Sequence, residues 1–520
     1  MNSSGPGNHD FQVAVVGFGP SGAVAASLLG SRGLSTLAID RQTAVHDKPR
    51  AIAIDHEIMR HLDNLGVAER VLPHTAPFPA SQHFGAQGQL IRRIDMVSEP
   101  YPLGYTPTMV FSQPPVEQAL RQHAAAYPSV EVRLGVELVQ IDQDAAGVNL
   151  HLRGSDGSTS TVTAAYLIAC DGASSGVRQA LGIELEDLVF DEPWLVVDLL
   201  VNEEALSNLP ETAAQFCDPA RPTTFIVGPK NHRRWEIMLL PGEDPRSMET
   251  SEEVWRLLAR WLTPADATLW RAASYRFHAL VARDWRRGRV FLAGDAAHQQ
   301  PPFIGQGMCQ GLRDGANLGW KLERVLRGQS SDALLDSYAE ERAEHVRQLT
   351  GRIKAIGHVI CERDPDAARE RDARILAEGG GQPRTITRQE IVPPLSTGLL
   401  APIGTPGRGQ LFPQPRVGRG RQLLDTACGM GWRLVVDGRH PIEMPATTRQ
   451  QIEMLGVRPI TIGPVESAGV VAECDGVTAA WFDQVGARAA LVRPDHYVFG
   501  AVNTADDLAT KLDDLSRRLQ

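Results

Sequence analysis

The segment Val13-Ala-Val-Val-Gly17-Phe-Gly19-Pro20-Ser21-Gly22, continued through Arg32 and Leu37-Ala-Ile-Asp40, decides the fold. Four apolar residues read as a buried strand, and three glycines follow at G-x-G-x-x-G spacing. Ala23 to Arg32 predicts a helix, and a second apolar strand ends on Asp40. Each glycine has a physical role in such a turn. Gly17 permits the tight bend, Gly19 lets the backbone approach a pyrophosphate, and Gly22 lets the helix pack on its strand. The helix N-terminus, entered through Pro20 and Ser21, offers free N–H groups and a partial positive charge to phosphates. Asp40, with Arg41 beside it, stands where an acid can accept hydrogen bonds from an adenosine ribose. The stretch therefore predicts a dinucleotide site. A glycine-rich turn that binds nothing would need strand, glycines, helix, strand and acid to coincide by chance. Whether the ligand is FAD or a nicotinamide nucleotide stays open at this point.

At 520 residues the chain predicts two or three domains. Its net charge of −10 argues against nucleic-acid or anionic-membrane binding, which need basic surfaces. No apolar run reaches the ~20 residues that span a bilayer. The opening Met1 to Asp10 has no basic stretch before an apolar core, so it reads as a short flexible lead rather than a signal peptide. The six cysteines are scattered with no C-x-x-C pair, which supports neither a zinc site nor a redox disulfide. No metal site is expected. Scattered thiols fit a reducing cytosol, so a cytoplasmic protein is expected.

Beyond Asp40, the apolar spacing of Ile58, Met59, Leu62 and Leu65 predicts a helix closed by Gly66. Residues 74–110 are broken by prolines and glycines, Pro79 among them, and read as short hairpin strands outside the nucleotide core. A helix is expected from Ser112-Gln113-Pro-Pro to about Tyr127. Ala165 to Cys170 is a continuous apolar strand ending in Asp171-Gly172. From about Glu184 to Arg276 the character changes to several strands and one amphipathic helix, read as an inserted sheet. Arg289 to Ala293 returns to a buried strand, followed by Gly294-Asp295 and two long helices. Residues 362–390 read as a linker, and from Leu411 onward a small α/β unit is predicted.

Three motifs in order make the chain resemble the FAD-dependent aromatic hydroxylases, the group A flavoprotein monooxygenases. They are Gly17-x-Gly-x-x-Gly22, Asp171-Gly-Ala-Ser-Ser-Gly-Val-Arg178, and Gly294-Asp295-Ala-Ala-His298 with Pro301-Pro302-Phe-Ile-Gly305-Gln-Gly307-Met308. The continuation Cys309 to Leu322 is most similar to the branch acting on 3-(3-hydroxyphenyl)propionate and related phenols. Gln410-Leu-Phe-Pro413 and Leu423-Leu-Asp425 resemble the thioredoxin-like tail of the phenol hydroxylase branch, without its C-x-x-C, so Cys428 is read as a packing residue.

The resemblance implies an α/β fold of the p-hydroxybenzoate hydroxylase type. It has a Rossmann-like FAD-binding domain (residues 1–75, 103–183 and 277–361) and a mixed-sheet substrate-binding domain (76–102 and 184–276). A linker (362–395) leads to a C-terminal thioredoxin-like domain (396–520). It implies that Asp295 binds the ribityl chain, that Arg50 contacts the pyrophosphate or assists flavin movement, and that Gln113 hydrogen-bonds FAD. Asp171 and Arg178 are implied to organise the dinucleotide and nicotinamide face. Pro302 stiffens the later loop, and Gly305, Gly307 and Met308 bring backbone N–H groups to the flavin, an oxyanion-type role. Pro302 and Gly305 are accordingly candidate catalytic positions, with His56 as candidate base because an imidazole titrates near neutrality. Trp235, Met238 and Pro302 are the candidate substrate walls.

The implied reaction is phenol hydroxylation ortho or para to the hydroxyl, with NADH or NADPH as reductant, O2 as oxidant and a flavin C4a-hydroperoxide as the oxygen donor. No second G-x-G-x-x-G is present, which agrees with a nicotinamide cofactor that binds without its own Rossmann domain. Partners are thus a small aromatic substrate, O2 and NAD(P)H, with neither nucleic acid nor membrane, and a homodimer is left open. Two alternatives stand beside this reading: a polyketide or antibiotic-tailoring oxygenase of the same fold, and a non-catalytic flavin redox sensor. A halogenase is disfavoured because W-x-W-x-I-P is absent.

Overall fold

The computed structural model describes residues 9–78 and 80–520, so the lead Met1 to Asn8 and the expected break at Pro79 lie outside the described residues. Phe11–Val16 forms the centre of an eight-stranded sheet, and its last four residues are buried. It pairs in parallel with Thr36–Asp40 on one side and Thr159–Ala169 on the other. Val130–Leu134 and Val290–Leu292 extend the parallel core. Burial on both faces explains why Phe11–Val16, Thr36–Asp40 and Val290–Leu292 read as apolar runs, while Val130–Leu134 at the parallel edge alternates.

The Pro20–Gly30 helix packs on this sheet and against the Gly307–Leu326 helix. Gly311, Gly315 and Gly319 lie at four-residue spacing and face Ser21, Ala25 and Leu28 of the first helix. A side chain at Gly311 would meet Ser21 Oγ at 2.3 Å. Glycine inside a helix costs about 1 kcal/mol against alanine; the close approach of the two helices accounts for Gly311, while Gly315 and Gly319 leave room for ordinary contact at 3.5 Å.

A nine-stranded sheet forms the second layer. The long strands Leu185–Val201 and Ala267–Ala282 pair antiparallel, followed outward by His232–Met238, Thr223–Val227 and Ala213–Phe216. The hairpin Ala80–Phe84 and Leu90–Asp95 completes it from the earlier segment. The Ser251–Leu258 helix covers the outer face over Leu195, Val197, Phe225, Trp235 and Ile237.

The stretch expected as a linker is structured. Pro365–Glu378 is a helix capped by Asp364, and Arg384–Thr387 is the edge strand of the nine-stranded sheet, parallel to Leu90–Asp95. Its charge and Gly-Thr-Gln content resemble a solvated linker, but Arg371 and Asp372 are buried against the inserted sheet, where Arg371 donates to the Cys217 carbonyl at 3.0 Å.

The C-terminal unit has strand order Val470–Ala472, Arg458–Gly463, Arg433–Asp437, Ala489–Val492, Val498–Val502, with the first three parallel and the last two antiparallel. The Ala446–Met454, Val477–Val485 and Ala505–Leu519 helices flank it, the arrangement of a thioredoxin-like domain. Cys428 and Cys474 are free thiols there, and burial raises the Cys428 thiol.

Candidate active site

The first glycine loop is built as its sequence demands. Gly17 has φ +92°, and a Cβ there would meet the Cys170 carbonyl oxygen at 2.3 Å. A Cβ on Gly22 would meet the Gly17 carbonyl oxygen at 1.9 Å. Gly19 differs, because nothing lies within 4 Å of its missing Cβ. Its openness is a cradle in front of a helix N-terminus whose cap residue is Gly19 itself, with no side chain to occupy the first N–H groups. Asp40 steadies the loop by accepting from Phe18 N at 2.9 Å and from Gln42 N at 2.8 Å, while Arg41 is exposed.

Arg121, which the motif reading missed, stands beside that loop. Its Nη2 donates to Glu117 at 2.8 Å and lies 3.5 Å from Asp40, while Nε and Nη1 are buried without partners. An arginine one turn beyond Glu117 carries no signal in one sequence beyond the i,i+4 spacing.

The later loop meets the first one, with Gly294 and Gly311 set against Ser21. Gly294 donates to Asp314 Oδ2 at 2.9 Å, and Asp314 also receives Arg342 Nε at 2.8 Å and contacts His298 Nε2 at 2.9 Å. Arg178 ties the second motif to the third by donating to the Ala296 and Ala173 carbonyls, both at 2.9 Å. Asp171 caps Val177 N at 3.1 Å through Oδ2, and its Oδ1 is buried without a partner. Asp295 is solvent-exposed, yet surrounding protein raises its carboxyl against the opposing charges of His298 and Arg50. Exposure and desolvation together mark a group on the floor of a cleft rather than on an open surface.

Gly305 (φ +62°) turns the chain over Ala53, where a Cβ would approach the Ala53 Cβ to 2.6 Å. The long helix then begins at Gly307 without a side-chain cap, and Gly307 again faces open space. Met308 is partly buried beside it, as is Pro302 ahead of the turn. Two helix N-termini, the open glycines Gly19 and Gly307, the cleft-floor Asp295 and the orphaned Asp171 Oδ1 fit an extended, phosphate-bearing flavin nucleotide. Gln113 has a supporting position instead of an open one. Its Oε1 accepts from Arg50 N at 2.9 Å and Ala51 N at 2.6 Å, and its Nε2 donates to Glu117 at 3.0 Å. It holds the segment that presents the exposed Arg50 side chain.

The inserted sheet separates the two expected substrate walls. Residues three apart on a strand point to opposite faces, so Trp235 and Met238 cannot line one pocket. Trp235 is fully buried under the outer helix, tilted against Phe225 and Trp261. That corrects its assignment to the substrate pocket. Met238 packs on the other face with Trp194, Phe277 and Phe303. Trp194 stacks on Phe277 at 5.5 Å, and Phe303 of the later loop meets Trp194 edge-on at 5.7 Å.

His56 is also corrected. It begins the His56–Asn64 helix, is 8% exposed, and burial brings its pKa down to about 4. The imidazole is therefore neutral and weakly basic at pH 7, and its Nδ1 has no partner. Arg388, from the stretch expected as a linker, donates instead to the Ile304 carbonyl and stacks over Phe78 at 5.2 Å.

Residues 10–352 match the family model described as an FAD binding domain, and residues 409–518 match the HcaD C-terminal domain. A "Probable NADH-specific resorcinol 4-hydroxylase" of Rhodococcus jostii (strain RHA1) is 36% identical, over 97% of this chain and 94% of its own length. A 3-(3-hydroxy-phenyl)propionate/3-hydroxycinnamic acid hydroxylase of Escherichia coli O139:H28 is 32% identical, over 94% and 92%. Aklavinone-11 hydroxylase, solved with FAD and aklavinone, is 25% identical with a TM-score of 0.79, covering 99% of both chains. The flavin-dependent monooxygenase PieE gives a TM-score of 0.81 at 22% identity, covering 98% of this chain and 99% of its own, which is likeness of fold. With that cleft and those full-length relatives, the chain belongs to the FAD-dependent aromatic hydroxylases.

Proposed function

We propose that this enzyme hydroxylates a single-ring phenol, with NADH as the reductant. The observation that carries the reading is the aromatic wall of Trp194, Phe277 and Phe303, which joins the substrate sheet to the loop preceding Gly307. Trp194 is fully buried behind Phe277 and Phe303, and the edges of those two rings would give a substrate ring its apolar contact. The resorcinol and 3-hydroxyphenylpropionate hydroxylases among the relatives support a ring bearing a free hydroxyl, and the former supports NADH.

Flavin, when bound, supplies the redox chemistry and oxygen activation. The chain's own residues do the rest. Gly19 and the first-turn N–H groups of Pro20–Gly30 would hold the pyrophosphate, assisted by Arg50 and Arg121. Asp295 would bind the ribityl hydroxyls. The N–H groups at Gly307 and Met308 would stabilise negative charge at the ring edge. Phe303 and Trp194 exclude water from the ring's apolar face. A cytoplasmic setting fits the six free thiols, and no helix of the described residues is long and apolar enough to cross a membrane.

The test is NADH oxidation by the FAD-loaded enzyme with resorcinol and with 3-(3-hydroxyphenyl)propionate, products identified by mass. Expected is a product one oxygen heavier, formed in proportion to NADH consumed. NADH consumption with no hydroxylated product from any single-ring phenol overturns the reading.

A further inference from the structure

On the face of the nine-stranded sheet that carries Trp194 and Met238, a row of polar residues crosses four strands. His83, Gln215, Thr224 and Glu236 stand abreast on four adjacent strands, paired in register His83 with Gln215, Gln215 with Thr224, and Thr224 with Glu236. Glu236 is 3% exposed and His83 1%. Within the row Thr224 donates to Gln215 Oε1 at 2.5 Å. The two ends are unsatisfied: Glu236 Oε2 and His83 Nδ1 are buried without partners. An unpaired buried carboxyl is costly, and its position is one where a polar partner would be stabilising.

Its neighbours locate it. Arg234 and Met238 flank Glu236 at two-residue spacing, so all three share one face. Arg234 donates to the Arg50 carbonyl at 2.8 Å and the Pro49 carbonyl at 3.3 Å. Met238 packs in the cluster that contains Phe303. Glu236 therefore lies between the segment presenting Arg50 and the aromatic wall.

The charges around it do not neutralise it. Arg234 is engaged by Asp198 on the adjacent strand, through Nε at 2.7 Å and Nη2 at 3.2 Å. His232 also meets Asp198 at 2.7 Å, and Arg271 lies 3.7 Å from it. The Thr223–Val227 strand turns neutral Thr224 and Ile226 to the same face. Burial, opposed by Arg234 and aided by Asp198, lifts the Glu236 carboxyl to about 7, the range suited to proton transfer near neutrality.

We propose that Glu236 is the carboxylate that binds the hydroxyl of the phenolic substrate and takes its proton at Oε2. The phenol O–H bond breaks, its electron pair stays on the ring oxygen, and a new O–H bond forms at Glu236. The phenolate so formed is richer in electrons at its ortho and para carbons, where oxygen is accepted. The proton leaves to solvent when the product departs. This inference rests on the hydroxylase reading above.

The test uses the FAD-loaded enzyme with resorcinol for turnover and 4-nitrophenol for binding without NADH, since the coloured nitrophenolate reports its own ionisation. Wild type is expected to bind 4-nitrophenol as the anion, with kcat/KM for resorcinol rising with pH through about 7. Glu236→Gln is expected to bind it neutral, lose about 100-fold or more in kcat/KM, and lose the rising limb. Glu236→Asp, which also serves if the glutamine variant fails to hold FAD, keeps the limb at a reduced rate. Anion binding and an intact limb in Glu236→Gln, or loss of the limb in Glu236→Asp, overturns the assignment. If wild type binds nitrophenolate through Glu236 yet hydroxylates no phenol, the hydroxylase reading fails and the phenol-binding carboxylate stands. If wild type hydroxylates and both variants match it, Glu236 alone is refuted.

Discussion

Tyr497 donates its hydroxyl to Glu57 Oε1 at 2.9 Å, across 440 positions of sequence. The other oxygen of Glu57 accepts Arg313 Nε at 2.6 Å, and Arg313 Nη1 donates to Gln306 Oε1 at 2.9 Å. Three hydrogen bonds thus run from the thioredoxin-like domain to the residue that precedes Gly307. Buried ion pairs join the same two bodies: Arg60 forks Asp425 at 2.7 and 2.9 Å, and Arg493 forks Glu341 at 2.9 and 2.7 Å. The C-terminal domain braces the turn before Gly307 rather than standing as an appendage.

Tyr497→Phe removes the first link and leaves a buried carboxylate oxygen without its donor. The expected loss is about 1–3 kcal/mol of stability, read from denaturant midpoints at constant slope, with faster FAD release as the loop loosens. A variant as stable and as FAD-retentive as wild type would show that the brace bears no strain from this bond.

The glycines of the first loop should divide by what their missing Cβ meets. Gly22→Ala drives a methyl to 1.9 Å from the Gly17 carbonyl oxygen, while Gly19→Ala points one into open space. Gly19→Ala is expected to fold with the apoprotein's normal melting temperature and to bind FAD at least about 10-fold more weakly. Gly22→Ala is expected to lower the apoprotein melting temperature itself. Apoprotein melting and FAD titration of both variants separate the cases, and equal effects on both readouts would contradict the division.

Acid should open the interface between the two bodies. Despite the penalty of burial, Arg493 and Lys321 hold Glu341 far below its ordinary pKa, and Arg60, His496 and Arg433 do the same for Asp425. Both folded values are depressed, so the stabilisation is fully present above the unfolded values of 4.5 and 3.8. It is lost progressively as pH falls below them toward the folded values. Glu236 runs the other way: its raised value removes stability between 4.5 and about 7 as pH climbs. Melting temperature against pH is expected to fall steeply below about pH 4.5, and Glu341→Gln is expected to flatten that fall while lowering stability at pH 7, because Arg493 and Lys321 lose their counter-charge. An unchanged acid limb in that variant would mean other carboxylates control it.

Two tryptophans on one sheet should respond differently to the same substitution. Trp194 and Trp235 are both fully buried with unpartnered indole N–H groups, but they occupy opposite faces. Trp194→Phe is expected to raise KM for resorcinol several-fold by loosening the packing behind Phe277 and Phe303. Trp235→Phe is expected to lower stability by about 1–2 kcal/mol and leave KM in place. Steady-state kinetics alongside thermal melts tests both, and a KM change confined to Trp235→Phe would invert the facing.

What the sequence reveals follows from how local each signal is. The Gly17-x-Gly-x-x-Gly22 turn and the Gly305 turn into the long helix are legible because their residues are consecutive on a strand–turn–helix frame. The same holds for the two long helices after Gly294-Asp295, which span Gly307–Leu326 and Asp336–Cys361. Trp235 as a pocket wall fails because the two-residue alternation that sets its face puts it under the outer helix. Arg388 and Glu236 were invisible for another reason. Their roles depend on strands brought abreast from distant segments, and a lone arginine in a polar stretch or a glutamate between apolar residues carries no local mark. The 362–395 stretch reads as a linker because the backbone groups that hold its buried Arg371, Asp372 and Arg388 lie in distant segments.

Arg388 is where that missed stretch bears on chemistry. Its Nη2 donates to the Ile304 carbonyl, and the same nitrogen would lie 3.9 Å from a Cβ on Gly305. Burial lowers its pKa to about 10, which leaves it charged at neutral pH beside the turn that leads into Gly307. Arg388→Ala frees the Ile304 carbonyl and lets the turn shift relative to the aromatic wall. The expected result is FAD binding close to normal but a product-to-NADH ratio reduced about 10-fold, because misplaced reacting groups lose rate far more than affinity. Arg388→Lys keeps the charge without the planar fork and should recover only part of that ratio. Product and hydrogen peroxide measured per NADH consumed decide the matter, and wild-type coupling in Arg388→Ala would release Arg388 from any part in positioning the loop.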